Sequence, residues 1–191
     1  MKTSADPQAL RKSRRFLLLI ALVFAAPMIV AGLLTVSGWQ PSAAGYGQKI
    51  TPSRNFVDEK LRVTLADGQA YPWRDSQPRM TLVALAGPGC AQRCLQALTG
   101  MAKAHVMLNQ NQSRLRLLYL GTPPADPAVL AAMTNYWQLG QDPDGKLSGF
   151  RPDAPDSVSA VVVESNGTAL AFYPAGFDSA GLLRDLRKVI K

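Results

Sequence analysis

The stretch Met80-Thr-Leu-Val-Ala-Leu-Ala-Gly-Pro-Gly-Cys90-Ala-Gln-Arg-Cys94 contains the only two cysteines of the chain. Its apolar first half is typical of a buried strand over residues 81–86, and Gly-Pro-Gly then ends that strand. The residues that follow predict a helix over residues 90–109. Residues four apart share one helix face, so two thiols there can close a bridge or hold one soft metal ion.

Both uses of the cysteine pair fit this spacing. The Cα atoms at positions i and i+4 of a helix lie about 6 Å apart, inside the window of about 4.4 to 6.8 Å that a disulfide spans. A helix N-terminus lowers the pKa of a thiol, and Arg93 acts in the same direction, which favours reactive cysteines. An inert structural disulfide is the alternative, since exported domains often carry such bridges.

An apolar segment near the N-terminus predicts a membrane anchor. Residues 16–36 hold no charged side chain, and this length crosses a bilayer core of about 30 Å at about 1.5 Å per residue. Four Lys or Arg residues stand at positions 11–15, whereas only two follow the segment within about 20 residues. A cleaved secretory signal is the alternative, but its apolar core is usually about 7 to 15 residues long.

The positive-inside rule then places residues 1–15 in the cytoplasm and residues 37–191 outside it. We therefore expect a single-pass protein of a bacterial inner membrane whose C-terminal domain lies in the periplasm. Of the chain's 21 Lys and Arg and 13 Asp and Glu, residues 1–36 hold five and one, which leaves a net charge of only +4 for the rest. So small and scattered an excess argues against nucleic acid as a partner.

The outer part divides into a linker and one domain. Residues 37–54 are rich in Gly, Ser, Pro and Ala and predict a linker, and residues 55–191 suit one compact domain. The domain reads as β-β-β-α-β-α-β-β-α, which predicts an α/β fold with a mixed sheet flanked by helices. Its remaining elements are a hairpin over 61–73 that turns at Asp67-Gly68, a strand over 115–120, a helix after Asp126-Pro127 that ends near Trp137, a hairpin over 157–173 that turns at Asn166-Gly167, and a last helix after Asp178.

The flanks of the cysteine pair carry a family resemblance. A strand that ends in Gly-Pro-Gly-Cys90-Ala-Gln-Arg-Cys94, a helix after it, and an N-terminal anchor resemble the Sco family of thioredoxin-fold proteins. Further support comes from Val63-Thr-Leu-Ala-Asp-Gly before the strand, Leu117-Leu-Tyr-Leu-Gly-Thr-Pro-Pro-Ala-Asp-Pro after the first helix, and Val161-Val-Val-Glu-Ser-Asn-Gly near the end. The resemblance covers residues 56–191.

This resemblance implies a thioredoxin-like domain that helps to assemble cytochrome c oxidase. Sco proteins bind copper and assist the copper centre of oxidase subunit II, as metal carriers or as thiol reductants. Cys90 and Cys94 would then be the catalytic thiols, the Cu(I) ligands, or both. The expected partner is an oxidase subunit, and the expected enzyme activity is at most thiol-disulfide exchange. The sequence suggests no small-molecule substrate.

The chain departs from the Sco pattern at the third copper ligand. Sco proteins supply a histidine just before the final hairpin, and the matching position here is Asp156, a hard ligand and a poor one for Cu(I). The chain's one histidine, His105, lies about 16 Å along the helix from Cys94 and belongs to its packed face. Two thiolates can still hold Cu(I), whereas Cu(II) loses a ligand that it prefers.

Two further functions and one backbone question stay open at this point. Besides a Sco-like function in disulfide exchange or copper handling, the domain is a candidate for two other functions. One is a binding module with a structural disulfide, and the other is a general periplasmic thiol-disulfide oxidoreductase. Thioredoxin-like folds commonly place a cis proline before the strand that faces the cysteines, and Pro155 stands in that position. A trans bond is the commoner state of a proline in folded proteins, so the sequence leaves both isomers open for Pro155.

Overall fold

The computed structural model describes residues 17, 20–30, 32–33 and 45–190. The chain divides into two units, Met1–Ala44 and Gly45–Lys191. In the first unit, residues 20–30 are helical. No helix among the described residues is long and apolar enough to cross a membrane. The predicted cytoplasmic segment 1–15 and parts of the predicted anchor 16–36 and linker 37–54 lie outside the described residues.

The second unit combines seven strands with three α-helices. The strands are β1 Gln48–Asn55, β2 Thr64–Leu65, β3 Met80–Ala86, β4 Leu115–Leu120, β5 Gln138–Gln141, β6 Val158–Val163 and β7 Thr168–Tyr173. The helices are α1 Gln92–Val106, α2 Pro127–Thr134 and α3 Ser179–Val189, and two short 3-10 helices cover Asn109–Arg114 and Ser148–Phe150.

All seven strands form one mixed sheet in the order β1-β7-β6-β3-β4-β5-β2. Strands β3, β4 and β5 run parallel, and β6 lies antiparallel to β3 on the other side. Seven consecutive buried residues in β3 identify it as a central strand covered on both faces. The predicted mixed sheet with flanking helices is therefore confirmed.

The two faces of the sheet bury two separate cores. Leu82, Ala84 and Ala86 of β3 belong to the core that receives the buried side chains of all three helices. Val83 and Leu85 belong to the second core, which is rich in aromatic residues from loops. This alternation along β3 follows from the two-residue period of a strand. Cys94 lies in the first core, under the sheet-facing side of α1.

Most predicted elements are found, with changes at their ends. The linker predicted over residues 37–54 extends too far, because Gln48–Asn55 is a strand paired with β7. This edge strand is largely exposed and lacks the alternating pattern from which a strand is predicted. The hairpin turn at Asp67-Gly68 is present, but its ladder shrinks to a bridge between Thr64 and Ala70.

The β3–β6 pairing positions the cysteine loop. Ala86, the last residue of β3, lies opposite Val158, the first residue of β6. Because the two strands are antiparallel, the loop after β3 and the loop before β6 leave the sheet at the same edge. Residues 87–91, which lead into α1, therefore lie beside residues 152–157.

Candidate functional site

Cys90 and Cys94 form a disulfide at the start of α1. Their sulfur atoms are 1.98 Å apart and their Cα atoms 5.2 Å apart. The Cα separation falls in the range that the helical spacing predicts, and the bridge joins the loop before α1 to the first turn of the helix. Of the two alternatives for this pair, a disulfide or a metal-binding site, the structure shows the disulfide.

The two sulfurs differ in their access to solvent. Cys90 is half-buried in the loop before the helix, whereas Cys94 is completely buried in the core below the sheet. A thiol from outside therefore reaches Cys90 and not Cys94. This asymmetry matches the roles needed in disulfide exchange, with one accessible sulfur and one sheltered resolving sulfur.

A carboxylate from another part of the chain caps the helix that carries the cysteines. Asp156 accepts hydrogen bonds from the backbone N–H groups of Ala91 at 2.8 Å, Arg93 at 3.0 Å and Cys94 at 3.0 Å. The N-cap residue of α1, Ala91, provides no side-chain cap of its own. Asp156 therefore satisfies N–H groups that the first turn of any helix leaves without a partner.

The local backbone holds Asp156 against the cysteine loop. Its φ of 52° lies in the left-handed region, which Asp adopts more easily than most residues. Its own N–H donates to the carbonyl oxygen of Gly89 at 3.1 Å. Gly87 allows the two loops to approach, because an added Cβ there would lie 2.6 Å from the carbonyl oxygen of Ala154. The arrangement is thus fixed from both loops.

The hydrogen bonds make Asp156 a stable anion. The bond from the Cys94 N–H is the largest cause of its lowered pKa; burial opposes the lowering, while the N–H groups of Arg93 and Ala91 and the Arg93 charge add to it. The Arg93 Nε lies 3.6 Å from the carboxylate. The sequence predicts that the helix N-terminus and Arg93 both favour a thiolate. In the structure, both the helix N-terminus and Arg93 interact with Asp156 instead. The negative charge of this carboxylate disfavours a thiolate nearby.

His105 has the structural role that its position on the helix predicts. It lies in the last turn of α1, at the opposite end from the cysteines. Its Nε2 is within hydrogen-bonding distance of two carbonyl oxygens, of Gln112 at 3.1 Å and Leu115 at 3.0 Å. Burial lowers the pKa of the imidazole, and these two contacts partly offset the lowering. His105 thus joins the helix to the segment that leads into β4.

The described residues do not fit a ready copper site. They contain no cluster of three or more His, Cys, Asp or Glu side chains that could hold a metal ion. The two sulfurs are bonded to each other, and the carboxylate of Asp156 is engaged with three N–H groups. A copper ion would need the reduced pair, since thiolates and not disulfide sulfurs are its ligands.

Pro155 precedes Asp156 in the loop that faces the cysteines, as the sequence predicts. Its peptide bond is not cis, and the cis bond found within residues 45–190 is Thr51–Pro52. The expected neighbourhood of this proline is therefore correct, and of the two isomers that the sequence leaves open the structure shows the trans one. The residue that contacts the cysteine turn from this loop is Asp156.

The fold and the bridge define the class: a thioredoxin-like domain with a disulfide at a strand-to-helix turn. The chain belongs to the family described as transmembrane-like, thioredoxin-like, C-terminal domain, whose match covers residues 80–191. Among curated proteins, no sequence matches the chain.

Solved structures of similar fold include Sco proteins and a thiol-disulfide protein. A SCO1/SenC family lipoprotein from Bacillus anthracis is 16% identical, with 69% of this chain and 93% of that chain covered and a TM-score of 0.47. ScoI of Arabidopsis thaliana with copper bound is 12% identical, with coverage of 67% and 96% and a TM-score of 0.48. A putative thiol:disulfide interchange protein DsbE from Chlorobium tepidum is 11% identical, with coverage of 75% and 94% and a TM-score of 0.45. These likenesses concern the fold.

The role of Asp156 is the functional feature that the sequence does not predict. The sequence pattern places the residue near the cysteines as a weak replacement for a histidine ligand, and not as a helix cap. One feature of the sequence does indicate a cap from a distant residue. Neither Gly89, Cys90 nor Ala91 can cap a helix with its side chain, so the cap has to come from elsewhere in the chain.

Proposed function

We propose that this protein exchanges disulfides through Cys90 and Cys94 in the periplasm, where it assists the assembly of cytochrome c oxidase. The observation that carries the proposal is the bridge between a half-buried Cys90 and a fully buried Cys94 at the strand-to-helix turn of a thioredoxin-like domain. A bridge that closes so short a loop stabilises little by restricting the unfolded chain. Chemistry is therefore the better reason for its presence.

The exchange reaction follows from the access of the two sulfurs. A partner thiolate attacks Cys90 Sγ, the bond between the two sulfurs breaks, and Cys94 leaves with the electron pair. A second partner thiol then attacks the mixed disulfide and releases Cys90. The partner loses two electrons and two protons as its own disulfide forms, and the pair gains them as two thiols. The same steps in reverse reduce a partner disulfide.

The predicted anchor supports a location of this chemistry at the membrane. Residues 16–36 would hold the domain at the inner membrane, with residues 1–15 in the cytoplasm and a linker that ends before β1. An oxidase subunit with a cysteine pair is the partner that the Sco resemblance suggests. Reduced Cys90 and Cys94 could also receive Cu(I) as cargo, because two thiolates suffice for linear coordination. The lack of an imidazole near the pair argues against Cu(II).

Exchange is tested on the full chain in detergent micelles, equilibrated with reduced and oxidised glutathione and then alkylated. We expect Cys94→Ser to retain a glutathione adduct on Cys90, because the resolving thiol is missing. Cys90→Ser should form little adduct, because Cys94 is buried. A wild-type pair with a potential far below about −300 mV that forms no adduct in Cys94→Ser would mark a structural bridge and refute exchange.

The oxidase pathway and copper handling need separate measurements. Deletion of the gene should lower the copper content and activity of cytochrome c oxidase, and the wild-type gene but not the Cys90→Ser, Cys94→Ser variant should restore both. Unchanged copper loading in the deletion strain would contradict the pathway. Anaerobic titration of the reduced full chain with Cu(I) supports copper handling only if tight one-to-one binding is lost in the double variant.

A further inference from the structure

We propose that Asp156 is a positioning residue that favours the bridged form of Cys90 and Cys94 over the reduced form. The inference rests on the proposed disulfide exchange and gives it a direction. A pair whose bridge is stabilised is a strong electron donor once it has been reduced. The domain would then reduce a disulfide of its partner rather than oxidise the partner's thiols.

The N-terminus of α1 is already occupied by a carboxylate. Backbone N–H groups at such a position stabilise negative charge, including charge on a sulfur released from a disulfide. Here three of these groups, from Ala91, Arg93 and Cys94, already donate to the Asp156 carboxylate at 2.8 to 3.0 Å. A sulfur that gains charge when the bridge opens must compete with this carboxylate for the same donors.

The charge of Asp156 adds to this competition. Asp156 accepts from the backbone N–H of Cys94, so its negative charge lies at the residue whose sulfur leaves when the bridge opens. The positive group that faces it, Arg93, is 3.6 Å away, and 80% of its side chain is exposed. Exposed ion pairs are weak in water, so Arg93 offsets the carboxylate only in part. The remaining charge opposes the reduced form more than the bridged one.

Asp156 cannot easily turn away from the cysteines. Its N–H is bonded to the carbonyl oxygen of Gly89, and its side chain is 20% exposed. The loop around it is fixed to the cysteine loop by the bond from the Gly87 N–H to the carbonyl oxygen of Ser157 at 2.9 Å. Reduction therefore leaves the carboxylate at the backbone of the cysteine turn.

The redox step balances with a partner disulfide as oxidant. Reduced Cys90 attacks the partner disulfide, and Cys94 then attacks the mixed disulfide at Cys90. The bridge re-forms with the loss of two electrons and two protons, and the partner leaves as a dithiol. A protein dithiol of still lower potential must reduce the bridge again before the next cycle.

The test compares the redox equilibrium of wild type and Asp156→Asn, which keeps the shape of the side chain and removes its charge. The full chain in detergent is equilibrated with reduced and oxidised dithiothreitol, and the bridged fraction is measured by alkylation and mass spectrometry. We expect the equilibrium constant for reduction to rise about tenfold in Asp156→Asn, which corresponds to about 30 mV. Asp156→Glu, which keeps the charge, should stay closer to wild type.

Asp178→Asn is the matched control, because Asp178 caps α3 by accepting two N–H bonds. It removes the charge of a helix cap that does not contact the cysteines, so the redox equilibrium should stay that of wild type. An unchanged or more negative potential in Asp156→Asn would overturn the proposal, as would an equal shift in the control.

A second measurement separates this proposal from disulfide exchange itself. The bridged and the reduced proteins are each unfolded in urea, with reduction carried out in the unfolded state where necessary. Asp156→Asn should lower the unfolding midpoint of the bridged protein more than that of the reduced protein, even if glutathione never reaches the native pair. Equal losses in both forms would show a purely structural cap and refute the proposal, whatever the outcome for exchange.

Discussion

An aspartate caps the N-terminus of both α1 and α3. The cap of α3 is adjacent to its helix in the chain, whereas the cap of α1 comes from a distant segment. Asp178 immediately precedes α3 and accepts from the N–H groups of Ala180 and Gly181, both at 3.0 Å. Asp156, which caps α1, stands more than 60 residues after the first turn of that helix in the chain. The cap of α3 forms with its own helix, whereas the cap of α1 exists only when β3 and β6 have paired. The helix with the disulfide is the one whose start depends on the assembled fold.

The largest expected effect comes from separating the two loops that make the remote cap possible. In Gly87→Ala, the new Cβ would lie 2.6 Å from the carbonyl oxygen of Ala154 and 2.8 Å from that of Pro152. Because backbone has to move, we expect the free energy of unfolding to fall by about 2 kcal/mol. Urea denaturation of the full chain measures the change.

The control for this variant is Gly149→Ala, since nothing lies within 4 Å of a Cβ added there. It should change stability little. Gly87→Ala should also shift the redox equilibrium in the same direction as Asp156→Asn, because the carboxylate moves with its loop. A stable Gly87→Ala protein with wild-type redox behaviour would show that the loops are not coupled as described.

The next effect concerns the local cap. In Asp178→Ala, α3 loses two side-chain hydrogen bonds, and we expect a loss of about 1 kcal/mol in the free energy of unfolding. The loss should be equal in the bridged and the reduced protein, because this cap does not contact the cysteines. A loss that depends on the redox state would remove the contrast between the two helices.

The same contrast explains which parts of the site are predictable. The sequence identifies Asp126 and Asp178 as caps, since an N-cap and its helix are neighbours in the chain. The limits of β4 are predicted correctly because its apolar run stands between polar segments. Cys90 and Cys94 are placed at the strand-to-helix turn for similar local reasons. These features need no knowledge of distant contacts.

Features that depend on pairing between distant segments escape prediction. β1 falls within the predicted linker because an exposed edge strand carries little hydrophobic pattern, and its register comes from β7. Asp156 reaches α1 only through the antiparallel pairing of β3 and β6, which periodicity alone does not specify. Its hydrogen bonds then determine the electrostatics of the disulfide, so the predicted activation by the helix N-terminus and Arg93 is incomplete.

A smaller effect tests whether the remote cap acts through its charge. The pKa of Asp156 is lowered in the folded protein, so its contribution to stability is present above the unfolded value of about 3.9. It is lost as the pH falls through the lowered folded value. The bridged cysteines do not titrate. The unfolding midpoints of bridged wild type and Asp156→Asn should therefore differ near neutral pH and converge in acid. A constant difference would exclude the carboxylate charge as the cause.

The smallest effect concerns the far end of α1, which also depends on a group outside the helix. The Nε2 of His105 faces two carbonyl oxygens, so it carries the proton and donates, and Nδ1 is the atom that titrates. Burial lowers the pKa of this imidazole, whereas the C-terminal dipole of a helix would raise it. Since the chain has one histidine, a single imidazole signal reports its titration by NMR. We expect a pKa below about 6.5 in the folded protein and a return to that value in urea. A folded value above 6.5 would mean that the dipole outweighs burial, and acid would then stabilise the end of α1 instead of weakening it.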